Sequence, residues 1–202
     1  MRRVLIFALA AWTVAGRAGA AVAAPEVGKP APLFNMEDTH GTRWSLEALR
    51  GQYVILEWFN PECPFVRKQY TSGRMQELQA AAAAAGMAWL TVDSSAPGKQ
   101  GFLTPAQADA VMRERHAASA GMLLDPGGTL GHLYGATATP HMFIINPTGI
   151  LIYAGAIDNA PSAEPRDVAG ALNYVQTALD EARVGRPVST PFTRPYGCSV
   201  KY

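Results

Sequence analysis

The stretch YVILEWFNPECPFVRKQY, residues 53–70, decides how the chain folds. Its apolar run predicts a strand inside a sheet that is covered on both faces. Prolines end the strand, and Pro64 suits the first turn of a helix. Cys63 is therefore expected at a strand-to-helix junction, where backbone N–H groups and the positive end of the helix dipole face its thiol. A thiol in such a place has a lowered pKa and is more nucleophilic at neutral pH.

The rest of the chain alternates strands and helices around this motif. Periodicity and turn signals predict a hairpin (33–36, 42–44), a short helix (46–50), a strand (52–59), an unbroken helix (64–85), a strand (87–92), a helix (105–117), a strand (122–124), a short helix (129–134), a hairpin (142–146, 150–155) and a helix (166–184). This order predicts an α/β fold with parallel strands in the middle of the sheet and an antiparallel hairpin at one edge.

Residues 1–23 have the composition of a secretory signal peptide. A basic n-region precedes an apolar h-region, Val4–Ala15, and Ala21–Ala23 provides small residues for cleavage. A membrane anchor is the weaker interpretation, because the apolar run is shorter than the ~20 residues that cross a bilayer. We expect the mature chain in the periplasm or secreted from the cell.

The mature chain is expected to form one domain over 24–184 and a C-terminal tail over 185–202. Removing residues 1–23 takes away three arginines and no acidic residue, so the formal charge changes from +1 to −2. This balance gives no electrostatic basis for binding nucleic acid or an anionic membrane surface. The chain has only two cysteines, Cys63 and Cys198. In an oxidising compartment we expect them to pair, permanently or transiently.

Four motifs make the chain resemble the thioredoxin-fold redoxins, and most closely their peroxiredoxin-like, AhpC/TSA-related group. They are Cys63-Pro64-Phe65-Val66, the C-terminal Gly197-Cys198-Ser199-Val200-Lys201-Tyr202, the lead-in Gly28–Phe34, and Thr139-Pro140, which is similar to the cis-proline loop of the thioredoxin fold. The resemblance covers nearly all of the mature chain. It implies a thioredoxin fold, a central mixed sheet flanked by helices, here with an N-terminal β-hairpin extension.

The chain departs from the family patterns at three positions. Thioredoxins carry Cys-x-x-Cys, and Val66 here stands in place of the second cysteine. Peroxiredoxins usually carry Thr three residues before the reactive cysteine and Pro four residues before that Thr. Here these places hold Asn60 and Leu56, so Asn60 becomes the candidate hydrogen-bonding side chain.

Cys63 is the predicted nucleophile, and Arg67, one helical turn further on, is a candidate to stabilise its thiolate. Cys198 is the candidate resolving cysteine. Their disulfide closes a loop of ~135 residues, which the chain-entropy model credits with roughly 5 kcal/mol of stabilisation. A stabilisation of this size favours a permanent structural disulfide, whereas a mobile tail favours a resolving cysteine. The sequence leaves both roles open.

Glu57 places a carboxylate inside the apolar run, six residues before Cys63. Thioredoxins resemble this, with a buried acid at the same spacing. If Glu57 is buried, its pKa rises and it can relay protons during thiol–disulfide exchange. The equal alternative is an acid at a strand end that pairs with Arg67 or Lys68.

Three residues are predicted to shape the surface where a substrate approaches the thiol: Thr139, Pro140 and His141. Pro140, if its peptide bond is cis, lies beside the sulfur in the fold that the resemblance implies. His141 follows it directly and is within reach of the same place.

The sequence thus predicts a secreted, peroxiredoxin-like oxidoreductase that reduces peroxide through Cys63 and is reset by an external thiol, without a cofactor. One alternative is a periplasmic protein that exchanges disulfides with other proteins. Another is a non-catalytic domain or a metal carrier that uses Cys63, His141 and Cys198. No short-range ligand spacing supports the metal alternative, so no metal site is predicted.

Overall fold

The computed structural model describes residues 24–202, and the predicted signal peptide lies outside the described residues. The strands are β1 (Asn35–Glu37), β2 (Arg43–Ser45), β3 (Val54–Trp58), β4 (Ala88–Asp93), β5 (Gly121–Leu124), β6 (Ala138–Thr139), β7 (His141–Ile145), β8 (Leu151–Gly155) and β9 (Cys198–Ser199). The helices are α1 (Pro64–Thr71), α2 (Arg74–Ala84), α3 (Pro105–Glu114), α4 (Thr129–Tyr134) and α5 (Tyr174–Arg183), with a 3-10 helix over Pro165–Val168.

Five strands form the central sheet in the order β5-β4-β3-β7-β8. Strands β3, β4 and β5 run parallel, whereas β7 and β8 run antiparallel to their neighbours. Strand β3 lies in the middle and all its residues are buried, as its continuous apolar run predicts. The mixed sheet and the N-terminal hairpin β1–β2 confirm the predicted fold class. Among residues 24–202, no helix combines the length and the apolar character that a bilayer-spanning segment needs.

The two faces of the sheet bury separate hydrophobic clusters. Ile55 and Phe59 belong to the cluster that α1, α2 and α5 cover. Trp58 belongs to the opposite cluster, which Phe34 and Tyr134 help to close. Since side chains alternate along a strand, Glu57 shares the face of Ile55 and Phe59 and points toward α1 and α2.

The prediction of one helix over 64–85 is wrong, because the chain breaks it at Gly73. Gly73 has φ +82, and its N–H donates to the carbonyl of Tyr70 at 3.1 Å. This left-handed residue ends α1 in the manner of a helix C-terminal glycine and precedes the first residue of α2. Two short helices therefore replace the predicted long one.

Two further predicted helices differ from the structure. Residues 46–50 form successive turns. The helix predicted over 166–184 is divided into the 3-10 helix and α5, which starts at Tyr174 because the Asn173 side chain accepts the N–H of Gln176 at 2.8 Å.

The predicted C-terminal tail contains strand β9. This strand pairs antiparallel with β6. On either side of it the tail is held to the domain: the Thr193 hydroxyl accepts the N–H of Ala156 at 2.9 Å, and the ring of Tyr202 stacks on His132 with 4.0 Å between centroids. The tail thereby covers the end of the sheet where Cys63 lies.

Gly73→Ala should lower the free energy of unfolding by about 1 kcal/mol, because an L side chain is strained in the left-handed region. The added Cβ meets nothing within 4 Å, so the strain acts alone. Gly170→Ala is the matched control, since its Cβ also enters open space and its φ is outside that region. Urea unfolding of both variants measures the difference, and equal midpoints would contradict the prediction.

Candidate active site

Cys63 occupies the N-cap of α1, between strand β3 and Pro64, the first helical residue. Its backbone is extended (φ −71, ψ 121), and its carbonyl accepts the N–H of Arg67 at 2.9 Å to close the first helical turn. The residue is fully buried, and its Sγ donates to the carbonyl of Thr139 at 3.0 Å. The thiol is thus held between the start of a helix and the loop before β7.

The Thr139–Pro140 peptide bond is cis, and Thr139 pairs with Cys198 in the β6–β9 ladder. The Thr139 hydroxyl also donates to the Cys198 carbonyl at 3.4 Å. A Cβ on Gly197 would lie 2.0 Å from the Thr139 carbonyl oxygen, so only glycine allows the two backbones to approach this closely. This approach places Cys198 beside Thr139, whose carbonyl oxygen accepts a hydrogen bond from the Cys63 thiol, and packs Cys198 against the hydrophobic cluster that contains Cys63. Both cysteines are free thiols.

The two thiols have opposite pKa shifts. Burial raises the pKa of Cys63, but hydrogen bonds from the Cys198 and Thr139 side chains and from the backbone of Cys198 and Val66 outweigh it, so the pKa is lowered. The Thr139 carbonyl opposes this effect, because it accepts a proton only from the neutral thiol. Burial, with the hydrogen bond and the negative charge of Cys63, raises the pKa of Cys198 to about 12. Of the two thiols, Cys63 therefore gives up its proton more readily, and Cys198 retains its proton.

Glu57 is fully buried beneath α1 and α2. It accepts hydrogen bonds from Trp89 Nε1 at 2.9 Å, the Tyr70 hydroxyl at 3.0 Å and Gln79 Nε2 at 3.1 Å. Burial raises its pKa to about 7, and these donors offset only part of the shift.

The alternative in which Glu57 pairs with Arg67 or Lys68 is wrong. Within residues 24–202 no ion pair reaches its carboxylate, and Lys68 lies near Asp158 instead. No hydrogen bond of the described residues joins Glu57 to Cys63 either, so a proton relay between them stays a prediction.

Asn60 stabilises the turn before Cys63, and its side chain makes no hydrogen bond to the Cys63 sulfur. Its Nδ2 donates to the Gln100 carbonyl at 3.1 Å, its Oδ1 accepts the N–H of Glu62 at 2.8 Å, and its carbonyl accepts the N–H of Cys63 at 3.1 Å. The amide is therefore engaged on both atoms and positions the cysteine through the backbone.

Arg67 and His141 also lie away from the sulfur contacts. Arg67 is exposed and makes no ion pair with the described residues. His141 Nδ1 accepts the N–H of Thr137 at 3.3 Å, and its ring lies 4.4 Å from that of Phe143. Burial lowers the pKa of His141 to about 4, so the ring is neutral at physiological pH.

Within residues 24–202, no three His, Cys, Asp or Glu side chains are grouped so that they could hold a metal ion. The alternative of a copper or zinc site at Cys63, His141 and Cys198 gains no support from the geometry.

A buried polar cluster around Asp158 was missed from the sequence. Its carboxylate accepts from Gln69 Nε2 at 2.6 Å and from the Tyr196 hydroxyl, and Lys68 Nζ lies 4.0 Å from Oδ1. Lys68 Nζ donates in turn to the carbonyl of Ala160. The one available signal was the adjacent pair Lys68-Gln69 in the helix after Cys63, and such a pair by itself does not indicate a partner.

A cysteine at a strand-to-helix junction, facing a cis-proline loop on a mixed sheet of this order, defines a thioredoxin-fold redoxin. The model of the AhpC/TSA family matches residues 27–154, which is more than half of the chain. The protein belongs to the AhpC/TSA family. This confirms the resemblance stated from the sequence, and the match ends before the C-terminal motif around Cys198.

Solved structures share the fold at low sequence identity. An uncharacterized conserved protein from Geobacillus kaustophilus is similar with a TM-score of 0.74 and 22% identity, over 88% of this chain and 92% of the other. A hypothetical protein from Sinorhizobium meliloti 1021 gives 0.74 and 20%, over 89% and 96%. The thioredoxin domain of a thiol-disulfide oxidoreductase from Bacteroides vulgatus gives 0.51 and 18%, over 65% and 89%. No curated protein matches the sequence significantly.

Glu57→Gln should change how stability depends on pH. The folded-state pKa of Glu57, about 7, lies above the ordinary value of 4.5. The protonated acid therefore favours the folded state below pH 4.5, and this advantage is lost as the pH rises toward 7 and beyond. Relative to the variant, the wild type should lose about 3 kcal/mol of unfolding free energy between pH 4.5 and pH 8.

Urea unfolding across this pH range measures the difference. Glu47→Gln is the control, because Glu47 is exposed and its variant should follow the wild type. If the Glu57→Gln and wild-type curves stay parallel, the carboxyl group is not protonated in the folded protein.

Proposed function

We propose that the protein is a thiol-dependent oxidoreductase in which Cys63 and Cys198 alternate between dithiol and disulfide. The observation that carries the proposal is the β6–β9 pairing, which brings the Cys198 side chain to the buried Cys63. Membership of the AhpC/TSA family supports redox chemistry at this site. A permanent staple is disfavoured, because a polarised thiolate–thiol pair is the arrangement that exchanges.

The chemistry starts with the Cys63 thiolate, which attacks one sulfur of an incoming disulfide. A mixed disulfide forms at Cys63, and the partner's other sulfur leaves as a thiolate. Cys198 then gives up its proton and attacks the Cys63 sulfur, which expels the second partner thiolate and forms the Cys63–Cys198 disulfide. Because Cys63 no longer carries a charge at this stage, one cause of the raised Cys198 pKa is removed.

Access to Cys63 requires the tail to move, since the sulfur-bearing residue is fully buried. Strands β6 and β9 are each two residues long and pair only with each other among the described residues. Separating them breaks few hydrogen bonds, so the segment around β9 can open over Cys63 while Thr193 and Tyr202 stay bound to the domain. An external thiol returns the disulfide to the dithiol by the reverse exchange.

Peroxide reduction is the second candidate, and membership of the AhpC/TSA family favours it. In this reaction the Cys63 thiolate attacks the O–O bond, giving a sulfenic acid and releasing water or an alcohol. Cys198 then condenses with the sulfenic acid, with loss of water. The Asn60 amide is directed to Gln100 and Glu62 and not to the Cys63 sulfur, so this candidate stands second.

We place the protein outside the cytoplasm, in the periplasm or secreted, on the signal-peptide composition of residues 1–23. Its substrates there are disulfides or peroxides, and its reductant is a thiol of that compartment.

Reaction with glutathione disulfide tests the exchange mechanism. The reduced wild type should lose two hydrogen atoms in mass as the Cys63–Cys198 disulfide forms. Cys198→Ser should stop at one glutathione adduct on Cys63. Cys63→Ser should stay unmodified over the same time, because burial, the largest cause of the raised Cys198 pKa, remains in that variant. Intact mass and peptide mapping measure this, and an adduct found on Cys198 would reverse the assigned roles.

Equimolar hydrogen peroxide tests the second candidate. Cys198→Ser should gain the mass of one oxygen atom at Cys63, while the wild type loses two hydrogen atoms. Cys63→Ser is the control and should not change. If glutathione disulfide oxidises the wild type and peroxide at the same concentration does not, thiol–disulfide exchange is retained and peroxide reduction is abandoned.

A further inference from the structure

Asp158 connects the two segments that carry the cysteines. It lies three residues after β8 and is 2% exposed. One carboxylate oxygen accepts from Gln69 in α1, and the other accepts from the Tyr196 hydroxyl in the tail. Helix α1 begins at the Cys63 cap, and Tyr196 stands two residues before Cys198.

We propose that Asp158 is a positioning residue: by binding the Tyr196 hydroxyl, it holds the tail so that Cys198 stays at Cys63. The proposal rests on the redox pair proposed above and adds what determines how often Cys198 occupies its place. In chemical terms, Asp158 and Tyr196 set the effective concentration of one thiol at the other.

The strength of this anchor follows from its surroundings. Lys68 Nζ lies 4.0 Å from the carboxylate, and Lys68 is itself 1% exposed. A hydrogen bond to an ionised group is about twice as strong as one between neutral groups, and exclusion of water strengthens it further. The backbone N–H of Ala160 also donates to Asp158 at 2.9 Å, which fixes the carboxylate before the tail arrives.

The tyrosine ring adds contacts that tie the tail to α1. It meets the ring of Phe65 edge-on with 5.8 Å between centroids, and Lys68 Nζ lies 5.1 Å from its centre. Phe65 is only two residues from Cys63. These contacts fix Tyr196 relative to the start of α1, where Cys63 lies.

An anchor is needed at this point of the tail because Gly197 separates it from Cys198. Gly197 has φ +134, a conformation that glycine adopts and other residues avoid. Glycine permits the close approach to Thr139, and the same freedom would let Cys198 swing away once β9 separates. A fixed residue directly before the glycine limits this motion.

The test is the equilibrium between the protein and glutathione, measured as the fraction of Cys63–Cys198 disulfide by alkylation and intact mass. Tyr196→Phe keeps the ring and removes the hydroxyl. The equilibrium constant for forming the disulfide should fall by up to about tenfold, the full value for losing one hydrogen bond to a charged group, because the docked dithiol loses the same bond. Tyr53→Phe is the matched control, because Tyr53 lies just before β3, at the strand end opposite Cys63, and should leave the constant unchanged.

A double-mutant cycle separates positioning from a general loss of stability. Asp158→Asn should lower the constant in the same direction, and adding Tyr196→Phe should lower it little further, since both changes remove the same interaction. Additive effects of the two substitutions would overturn the proposal.

A second measurement does not depend on disulfide formation. In a Cys198→Ser background, Tyr196→Phe should raise the rate of Cys63 alkylation by iodoacetamide about tenfold, because a looser tail uncovers the thiol. If the wild type forms no Cys63–Cys198 disulfide with glutathione, the proposed redox pair is wrong, and this rate alone decides the role of Tyr196. An unchanged rate rejects the anchor whatever the disulfide does.

Discussion

The close approach of two backbones, at Thr139 and Gly197, is the constraint on which the site depends. Any side chain at position 197 would collide with the Thr139 carbonyl oxygen. That carbonyl is also the atom to which the Cys63 thiol donates. Thr139, the residue before the cis-proline, thus contacts Cys63 on one side and the tail strand on the other. The Cys63–Cys198 contact exists because this small space admits a glycine and nothing larger.

The environment gives two chemically identical side chains different properties. Cys63 stands at a helix start and receives hydrogen bonds from Cys198 and the backbone, so its negative charge is stabilised. Burial in the docked tail, together with the neighbouring Cys63, raises the pKa of Cys198, so its proton is retained. The difference between the two pKa values becomes smaller if the tail leaves, because part of each shift comes from the other cysteine. Docking of the tail is therefore part of the electrostatics of Cys63.

Most of the fold could be predicted from local patterns. Apolar runs and turn residues, which are local signals, predict the buried strand β3, its neighbour β4 and the hairpin β7–β8. The unbroken helix over 64–85 was a wrong expectation because Ser72-Gly73 lies within otherwise good helix formers, and whether a glycine turns left-handed depends on packing around it. Strand β9 could not be found because two residues carry no period, and its partner lies far away in sequence.

The site shows the same division between local and distant information. The positions of Cys63 and Glu57 followed from a single stretch of sequence. The expected reach of Asn60 toward the sulfur rested on the family pattern, and that of His141 rested on sequence proximity. The structure gives both side chains other partners. The Asp158 cluster draws on α1, the segment after β8 and the tail, so no local pattern could reveal it.

Burial of Cys63 and its reactivity make opposite demands, and the arrangement of the tail reconciles them. A thiolate without partners inside a hydrophobic cluster would be costly, yet a permanently exposed one would react with any oxidant in its compartment. The tail supplies the hydrogen bonds that compensate burial and is also the cover that excludes solvent. Because strand β9 is short while Thr193, Tyr196 and Tyr202 hold the chain on both sides of it, the cover can open over the sulfur and close again in register. In the proposed mechanism, the cysteine that covers Cys63 in the dithiol form is thus the same one that forms a disulfide with it after oxidation.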